Sequence, residues 1–441
     1  MLVILLVAAA LVSAQVYAIA YLAYLWVPAL AAVFWRLRIS LTQCPAPTCE
    51  RVADGPSGEK TERSFVILIS AHNEERVIGA LLDSLARQHY PPAKRSVYVV
   101  ANNCTDRTAA VVRGSEAATC LERTGGDVAT KGAALGWLWE RVSHKVSSCD
   151  CVVILDADNL VPPDFLRELN LAFDEGYQVV QSARCAKNAG DSWASQLDAI
   201  SEALWNRLDQ AGRMRLGLSA TIAGSGTAFT RPVFDWLSGC KVHTLCEDIE
   251  WQARLMLAGI RVGYAERARL FDEKTSSPAQ LGRQRERWVA GVALAACHYG
   301  PLLLGSGVWH KDIHRIVAGF GATKPPRSVL CALLGLLALL GIVRPESVAL
   351  LPWPFWLGGL GSLGGYVLVG MAVDNARPRA YLALICAPLF LLMMVATFAT
   401  GVLRASTLQW IPTVHERSVS IDEMEPGHRG ADGSRTRARA K

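Results

Sequence analysis

CVVILDAD, residues 151–158, is the segment that decides the fold. Its apolar, mostly β-branched residues precede two aspartates, which is typical of a buried strand that ends in a polar turn. Three other segments have a similar strand-like pattern: SFVILIS (64–70), SVYVV (96–100) and YQVVQS (177–182). Between the first two of them, Glu75 to Arg87 shows the apolar spacing of a helix. Strands that alternate with helices predict an α/β fold with a mostly parallel sheet.

Polar side chains follow three of these predicted strands. The first strand ends in SAHNEE (70–75), the second in ANNCTD (101–106) and the third in DADN (156–159). In an open α/β sheet, ligands bind at the carboxyl ends of the strands. The three segments are therefore expected to form one ligand site.

Both ends of the 441-residue chain are strongly apolar. Residues 1–35 carry no charge, and this run exceeds the roughly 20 residues that a spanning helix needs. Because it lacks a basic first region and is too long for a cleaved signal peptide, it predicts a membrane anchor. Three uncharged stretches near the C-terminus allow either three spans or two spans with an interfacial helix. These stretches are 328–343, 347–373 and 380–403.

Charge predicts the orientation of the segment between the apolar ends. Arg36 and Arg38 follow the first span and no Lys or Arg precedes it, so the positive-inside rule places the central domain in the cytosol at the inner cell membrane. The basic tail RTRARAK (435–441) also favours the cytosolic side, but three C-terminal spans would place it outside. The sequence therefore leaves open on which side of the membrane the tail lies.

The overall composition excludes two classes of site. The twelve cysteines have irregular spacings, which predicts reduced thiols and no zinc site. The net charge of +6 is scattered along the chain, so no nucleic-acid-binding patch is expected.

Two acidic pairs are candidates for chemistry. Asp156 and Asp158 would share one face of an extended strand end, and two carboxylates suit Mg²⁺ or Mn²⁺ held together with a diphosphate. Such a pair is also common as turn or cap residues. Glu247 and Asp248 precede an apolar helical pattern. They either stabilise a helix N-terminus or supply a general base.

Three basic or glycine-rich segments complete the candidate set. Lys131 begins either a plain amphipathic helix or a nucleotide contact. GSGTAFTR (224–231) allows backbone to approach a ligand but lacks the Walker lysine and the Rossmann pattern. GRQRERWVAG (282–291) places three arginines and a tryptophan before an apolar run. It either anchors a helix at the membrane surface or binds a phosphorylated ligand beside a flat ring.

The order of these motifs resembles membrane-integrated family 2 glycosyltransferases, the group that contains cellulose, chitin and hyaluronan synthases. The resemblance runs from Ser70 to Trp288, about half the chain. Its most specific element is Gln284-Arg285-Glu286-Arg287-Trp288, which fits the family's Q-[QR]-x-R-W motif and follows a D-x-D and an E-D motif. It implies a GT-A type nucleotide-sugar-binding domain flanked by transmembrane helices.

The domain prediction follows from this resemblance together with the apolar segments. It comprises a transmembrane anchor (1–38), a cytosolic GT-A glycosyltransferase domain (39–290), an interfacial amphipathic segment (291–327), C-terminal transmembrane helices (328–404) and a disordered charged tail (405–441).

The resemblance also implies a role for each matched residue. Asp248 would be the catalytic base, and Asp158 with Asp156 would hold Mg²⁺ or Mn²⁺. The residues implied to bind the donor are His72 and Glu74 in one motif, Asn102, Lys131, Asp156, and Gln284 with Arg287 at the diphosphate. The residues implied to contact the acceptor are Trp288, Gly224, Ser225 and Glu247.

Two positions depart from the family pattern. Ser70 replaces a proline, and Asn102 stands where an aspartate commonly faces uridine. An amide both donates and accepts hydrogen bonds, whereas a carboxylate only accepts them. Recognition of the nucleotide base is therefore expected to differ at Asn102.

The implied function is inverting transfer of a sugar from a nucleotide-diphosphate sugar, UDP-linked in the resemblance, to a lipid or a growing saccharide. The product would be a β-linked polysaccharide or glycolipid, made by repeated or single addition. Membrane lipids and export or assembly proteins are the implied partners. The alternative is a catalytically inactive, membrane-anchored nucleotide-binding or assembly protein, but the intact acidic motifs favour an enzyme.

Overall fold

A computed structural model describes residues 2–42, 62–125, 130–240, 246–343, 351–405 and 419–424. Seven strands form one sheet at the centre of the molecule. They are β1 (Phe65–Ala71), β2 (Arg95–Asn102), β3 (Thr119–Arg123), β4 (Cys151–Asp156), β5 (Val179–Ala186), β6 (Thr227–Thr230) and β7 (Val262–Asp272).

The sheet has the strand order β3-β2-β1-β4-β6-β5-β7. β6 pairs antiparallel with β4 and β5, and the other pairings within the sheet are parallel. The α/β fold with a mostly parallel sheet is therefore confirmed. The ends of β1, β2 and β4 lie side by side at one edge, because Ser70 pairs with both Val100 and Asp156.

The helices lie on both faces of the sheet and at both ends of the chain. They are α1 (Leu2–Thr42), α2 (Ile78–Ala86), α3 (Thr108–Arg113), α4 (Lys131–Val142), α5 (Phe165–Asp174), α6 (Trp193–Leu204), α7 (Ala211–Arg215), α8 (Arg231–Ser238), α9 (Glu247–Leu257), α10 (Pro278–Trp309), α11 (Ile313–Thr323), α12 (Arg327–Val343), α13 (Trp353–Val373), α14 (Pro378–Leu382), α15 (Ala387–Leu403) and α16 (Ile421–Met424). A π-helical segment, Trp205–Gln210, joins α6 to α7.

Two apolar layers bury the sheet. Ile67 and Ile69 of β1 belong to the layer that contains α2 and α5. Val66 and Leu68 belong to the opposite layer, which contains α4 and α8. Alternate residues of a strand point to opposite faces, and here both faces are covered. This explains why the central strands are continuously apolar in sequence.

Four described helices are long and apolar enough to span a membrane: Leu6–Arg38, Pro278–Trp309, Trp353–Val373 and Pro378–Leu403. α11 and α12 meet at a 79° bend and, counted together as one broken span, make a fifth. Pro325 and Pro326 lie at this bend, where proline removes backbone donors and ends a helix. α10 crosses the predicted domain boundary after residue 290 and ends at Trp309, inside the predicted interfacial segment 291–327.

The described part of the C-terminal tail is folded. Val419 and Ile421 are buried and pack with Leu160. The prediction of disorder for 405–441 is therefore wrong for residues 419–424, because these two apolar side chains gain burial on the sheet domain. Most of the tail, including its basic end, lies outside the described residues.

Candidate active site

Lys131 lies at the centre of the candidate site. It is the first residue of α4, which is capped by the Thr130 hydroxyl. Its Nζ contacts the Asp156 carboxylate and donates a hydrogen bond of 2.8 Å to the Gly224 carbonyl. Burial lowers the pKa of the Lys131 ammonium, but the negative charges of Asp156 and Glu247 outweigh it and raise the pKa overall. Lys131 therefore stays charged and joins β4 to the glycine-rich loop.

Two glycines allow the second acidic pair to approach Lys131. Glu247 and Asp248 lie in the first turn of α9. A Cβ at Gly132 would lie 3.1 Å from the Glu247 Cβ, closer than side chains normally pack. Gly224 has a φ of +64°, and a Cβ there would lie 3.2 Å from Asp248 Oδ2. A side chain at either position would disturb the site.

Burial raises the pKa of both carboxyl groups in this pair. For Glu247, burial and the nearby Asp248 charge raise the pKa to about 7, although Lys131 acts in the opposite direction. For Asp248, burial is also the largest cause of the raised pKa, and the positive charges of Lys131 and Arg184 act to lower it. A carboxylate with a raised pKa is a stronger base, which suits proton transfer near neutral pH.

The D-x-D segment forms a turn. β4 ends at Asp156, whose backbone N–H donates to Asn159 Oδ1 at 2.9 Å, while Asn159 N–H donates to the Asp156 carbonyl at 3.0 Å. The extended geometry predicted for residues 156–158 is therefore wrong, because Asn159 closes a local turn. Asp158 is buried, and its Oδ2 accepts a 3.0 Å hydrogen bond from Glu273 N–H.

These carboxylates fit a metal that is shared with a substrate. The described residues contain no group of three or more His, Cys, Asp or Glu side chains arranged as a complete metal site. Mg²⁺ usually binds through one or two carboxylates and substrate phosphates. Asp156 is 37% exposed, so its carboxylate is accessible from the site. The donor set thus suits Mg²⁺ or Mn²⁺ bound jointly with a diphosphate.

The ends of β1 and β2 place the next predicted residues together. His72 Nδ1 lies 2.7 Å from the Asn102 carbonyl oxygen, and the Glu74 N–H donates to Thr108 Oγ1 at 2.8 Å. The Asn102 side chain is buried, and its Oδ1 accepts a 3.0 Å hydrogen bond from Arg123 Nη1. Arg123 was missed in the sequence because β3 was not predicted.

Ser225 and Arg184 hold the glycine-rich loop against the sheet. The hydroxyl of buried Ser225 accepts a 3.1 Å hydrogen bond from Asp156 N–H and so supports the D-x-D turn. The predicted contact of Ser225 with the acceptor substrate stays a prediction. Arg184 at the end of β5 donates to the Ala223 carbonyl at 3.1 Å and to Asp272 Oδ2 at 2.5 Å. Arg184 was not predicted, although an arginine within the strand-like segment YQVVQSARCA (177–186) was a signal.

The Q-x-x-R-W segment lies on α10 beside α9. A Cβ at Gly291 would lie 2.3 Å from Cys246 Sγ, so α10 passes directly against the residue before the acidic pair. Arg287, one turn earlier, interacts electrostatically with Glu247. Gln284 Oε1 accepts a hydrogen bond of 3.4 Å from Thr275 Oγ1. The structure thus brings Arg287 to the site, while Gln284 faces the loop after β7.

Arg285 has a structural role that the sequence analysis did not assign. Its guanidinium carbon lies 4.7 Å from the centre of the Trp288 ring, and the same group contacts the buried Asp198 carboxylate of α6. Arg285 therefore fixes one face of Trp288 and connects α10 to α6.

A family model described as "Glycosyltransferase like family 2" matches residues 62–291, more than half the chain. The chain belongs to glycosyltransferase family 2. This family 2 glycosyltransferase is 27% identical over 229 residues to a beta-monoglucosyldiacylglycerol synthase of Synechocystis, covering 51% of this chain and 47% of that protein. It is 23% identical over 381 residues to the Nostoc protein of the same name, which covers 79% of this chain and 76% of that protein.

The transferase thus spans about half the length of its Synechocystis relative. Among solved structures, it resembles the mannosyltransferase PcManGT of Pyrobaculum calidifontis, which was solved in complex with GDP-Man and Mn²⁺. The TM-score is 0.50 at 16% identity, covering 89% of this chain and 98% of that one. At this identity the likeness shows the GT-A fold alone.

Proposed function

We propose that this family 2 glycosyltransferase moves a sugar, with inversion, from a nucleotide-diphosphate sugar to a lipid or growing saccharide, forming a β-glycosidic bond. The observation that carries the proposal is the convergence of Lys131, Asp156 and Asp248 around one glycine-rich loop. The names of the two cyanobacterial relatives support a lipid acceptor. A UDP-linked donor is part of the proposal.

Asp248 would act as the general base. Its carboxylate would take the proton of the acceptor hydroxyl while that oxygen attacks the anomeric carbon. The bond from this carbon to the diphosphate oxygen would break on the opposite face, and the nucleoside diphosphate would leave. A single displacement inverts the configuration, so an α-linked donor gives a β-linked product. The raised pKa of Asp248 supports this assignment.

The leaving diphosphate requires positive charge. Asp156 and Asp158 would hold Mg²⁺ or Mn²⁺, which when bound neutralises charge on the diphosphate. Lys131 would bind the donor next to Asp156, and Arg287 would add a planar, permanently charged donor group. Gln284 would complete the diphosphate contacts, with His72, Glu74 and Asn102 at the nucleoside.

We also propose a multi-pass protein of the inner cell membrane with a cytosolic catalytic domain. The described apolar helices support the membrane location, and Arg36 with Arg38 supports the orientation. A cysteine introduced at exposed Lys145 should react with an impermeant thiol reagent only after cell lysis. Reaction above the parent protein's background in intact cells would reverse the orientation.

The activity is tested by incubating purified protein with a panel of nucleotide sugars, Mg²⁺ or Mn²⁺, and membrane lipids. The released nucleotide identifies the donor, and the product mass separates single addition from polymerisation. Nucleotide binding without transfer or nucleotide release for any sugar would favour the inactive binding protein instead.

The raised carboxyl pKa values predict a pH dependence. Transfer requires ionised Asp248, so kcat/KM should rise with pH through an apparent pKa above the ordinary aspartate value, because burial raises the pKa of Asp248. Glu247→Gln removes the neighbouring carboxyl group whose pKa is also raised, so the limb should persist in this variant if it belongs to Asp248. The measurement is kcat/KM between about pH 4 and 9. An acid limb near pH 4 in the parent enzyme would contradict the assignment.

Arg287 and Trp288 should affect different substrates. Arg287→Lys keeps the positive charge but loses the forked geometry of the guanidinium. The loss of one charge-assisted hydrogen bond costs about 1.5–3 kcal/mol, so the rate of transfer should fall about 10–150-fold. Trp288→Ala should leave nucleotide affinity intact and raise the acceptor KM, because the ring provides a flat face for the acceptor. Nucleotide affinity and transfer are measured per folded protein, with exposed Arg283→Lys as the control. If Trp288→Ala lowered nucleotide affinity as much as it lowered transfer, the assignment of Arg287 to the donor and Trp288 to the acceptor would be wrong.

A further inference from the structure

A cavity of about 1070 Å³ lies between the apolar helices and the sheet domain. Its volume is at the upper limit of the roughly 300–1,000 Å³ typical of ligand pockets. Helices from both ends of the chain line it, mostly with apolar side chains such as Leu360, Phe390 and Met394. The cavity therefore suits a long apolar ligand.

The cavity borders the candidate active site at Trp288. Trp288 and Arg285 of α10 line it, as do Ile249 and Gln252 of α9. Ile249 directly follows Asp248, the proposed base. A ligand in the cavity can therefore bring a head group next to the acidic pair.

The cavity also contains cations without carboxylate partners. Among its cationic lining residues, Arg213 forms an ion pair with Asp209 at 2.9 Å, and Asp198 neutralises Arg285. Lys324 and Arg327, however, form no ion pair with any carboxylate in the described part of the chain. The charge of Asp209, which pairs with Arg213, also acts on Lys324. Cations without a contacting carboxylate are costly among membrane helices, so these two residues indicate a site for an anion.

Aromatic rings, together with the hydroxyl and the backbone carbonyl of Ser201, hold these two cations. Lys324 Nζ lies 5.7 Å and 5.5 Å from the ring centres of Tyr21 and Tyr24. Arg327 Nη2 donates to Ser201 Oγ at 2.7 Å, on the same helix as the Asp198 that binds Arg285. Asp198 and Ser201 are three positions apart, which is about 4.5 Å along α6. The cation pair is thus connected to the Trp288 end of the cavity by one helical turn.

We propose that the acceptor is a phosphate-bearing lipid, whose acyl chains occupy this cavity and whose phosphate binds Lys324 and Arg327. This inference rests on the proposed function and names its acceptor class. The lipid hydroxyl would face Asp248, where the transfer described above takes place. Phosphate complements both cations and accepts the strong bonds that arginine and lysine donate.

The lining of the cavity distinguishes this lipid from a saccharide. A growing saccharide carries a hydroxyl on most carbons, and each needs a hydrogen-bond partner when buried. Side chains such as Leu363, Leu391 and Val367 offer none. Acyl chains bury the same surface without unpaired polar groups.

The first test measures lipid binding. Full-length protein in micelles of a non-ionic polyoxyethylene detergent, which carries no phosphate, is titrated with labelled phosphatidylglycerol, diacylglycerol or soluble glycerol 3-phosphate. The parent protein should bind phosphatidylglycerol most tightly. The double variant Lys324→Gln/Arg327→Gln should lose about tenfold or more of this affinity, since hydrogen bonds to charged groups are strong. The control is Arg377→Gln, which removes an exposed cation near the same helices and should bind like the parent protein.

The second test fills the cavity with a matched pair of variants. Gly364 lines the cavity and Gly365 does not, and a Cβ at either position meets no atom within 4 Å. Gly364→Leu should weaken phosphatidylglycerol binding, whereas Gly365→Leu should not. Size-exclusion profiles and thermal unfolding of both variants establish that each is folded.

The outcomes separate this inference from the proposed function. Equal binding of diacylglycerol, equally strong competition by glycerol 3-phosphate, or equal effects of the two glycine variants would each overturn the lipid site. Transfer is then measured with the donor from the nucleotide-sugar panel. Sugar transfer to another acceptor, with phosphatidylglycerol bound but unreacted, would retain the enzyme and overturn the acceptor assignment. Phosphatidylglycerol binding without any turnover would refute the proposed function and leave only the lipid site.

Discussion

The Asp248→Asn variant is expected to lose about 10²–10⁴-fold in the rate of sugar transfer, the usual contribution of a general base. An amide has nearly the same shape as a carboxylate but cannot accept the proton of the acceptor hydroxyl. The substituted Oδ1 can still accept the 2.9 Å hydrogen bond from Ile249 N–H, so α9 should begin as before. Nucleotide-sugar affinity should survive, because Asp248 acts on the acceptor.

Two measurements make this result specific to the base. Nucleotide affinity by calorimetry and transfer in a single turnover separate binding from chemistry. Glu140→Gln, the same chemical change at an exposed carboxylate of α4, is the control and should keep parent activity. If Asp248→Asn retained full turnover while Glu247→Gln did not, Glu247 would be the base.

Removal of the divalent metal should have an effect of similar size. Excess chelator is expected to lower transfer by about 10³-fold or more, because a bound metal contributes several kcal/mol to stabilising the leaving diphosphate. Added Mn²⁺ or Mg²⁺ should restore the activity. Asp158→Asn should raise the metal concentration for half-maximal activity. Its amide oxygen can still accept the Glu273 N–H, so the contact with the segment after β7 should remain.

The matched control for the metal prediction is Asp164→Asn. Asp164 is a partly exposed carboxylate at the start of α5, and its loss should leave the metal requirement unchanged. Unchanged turnover in excess chelator would show that the D-x-D segment holds no metal in the reaction. Lys131 would then be the cation closest to Asp156.

The sequence by itself determined the class of the sheet and the family. Central strands such as β1 and β4 are buried on both faces, so each is a continuous apolar run that is visible without any partner. The order of the D-x-D, E-D and Q-x-x-R-W motifs is also a local property, and the family match to residues 62–291 agrees with it. Likewise, the long uncharged end segments predict helices that can span a membrane.

Strands with less apolar character could not be predicted in the same way. β3 is partly exposed, and β6 is only four residues long, so neither has a strong pattern. β7 mixes charged and apolar residues over eleven positions. These strands form because neighbouring strands offer them backbone partners, which is information that no single segment contains.

Only the tertiary structure decided how the site is assembled. Lys131 meets Gly224 across 93 residues, and Arg184 meets Asp272 across 88. Local spacing cannot predict such contacts, because the path of the whole chain determines them. The same holds for the apolar cavity next to Trp288, which exists because helices from both ends of the chain pack around it. Sequence motifs indicated the candidate site residues, but burial and long-range packing set their charges, their distances and the cavity beside them.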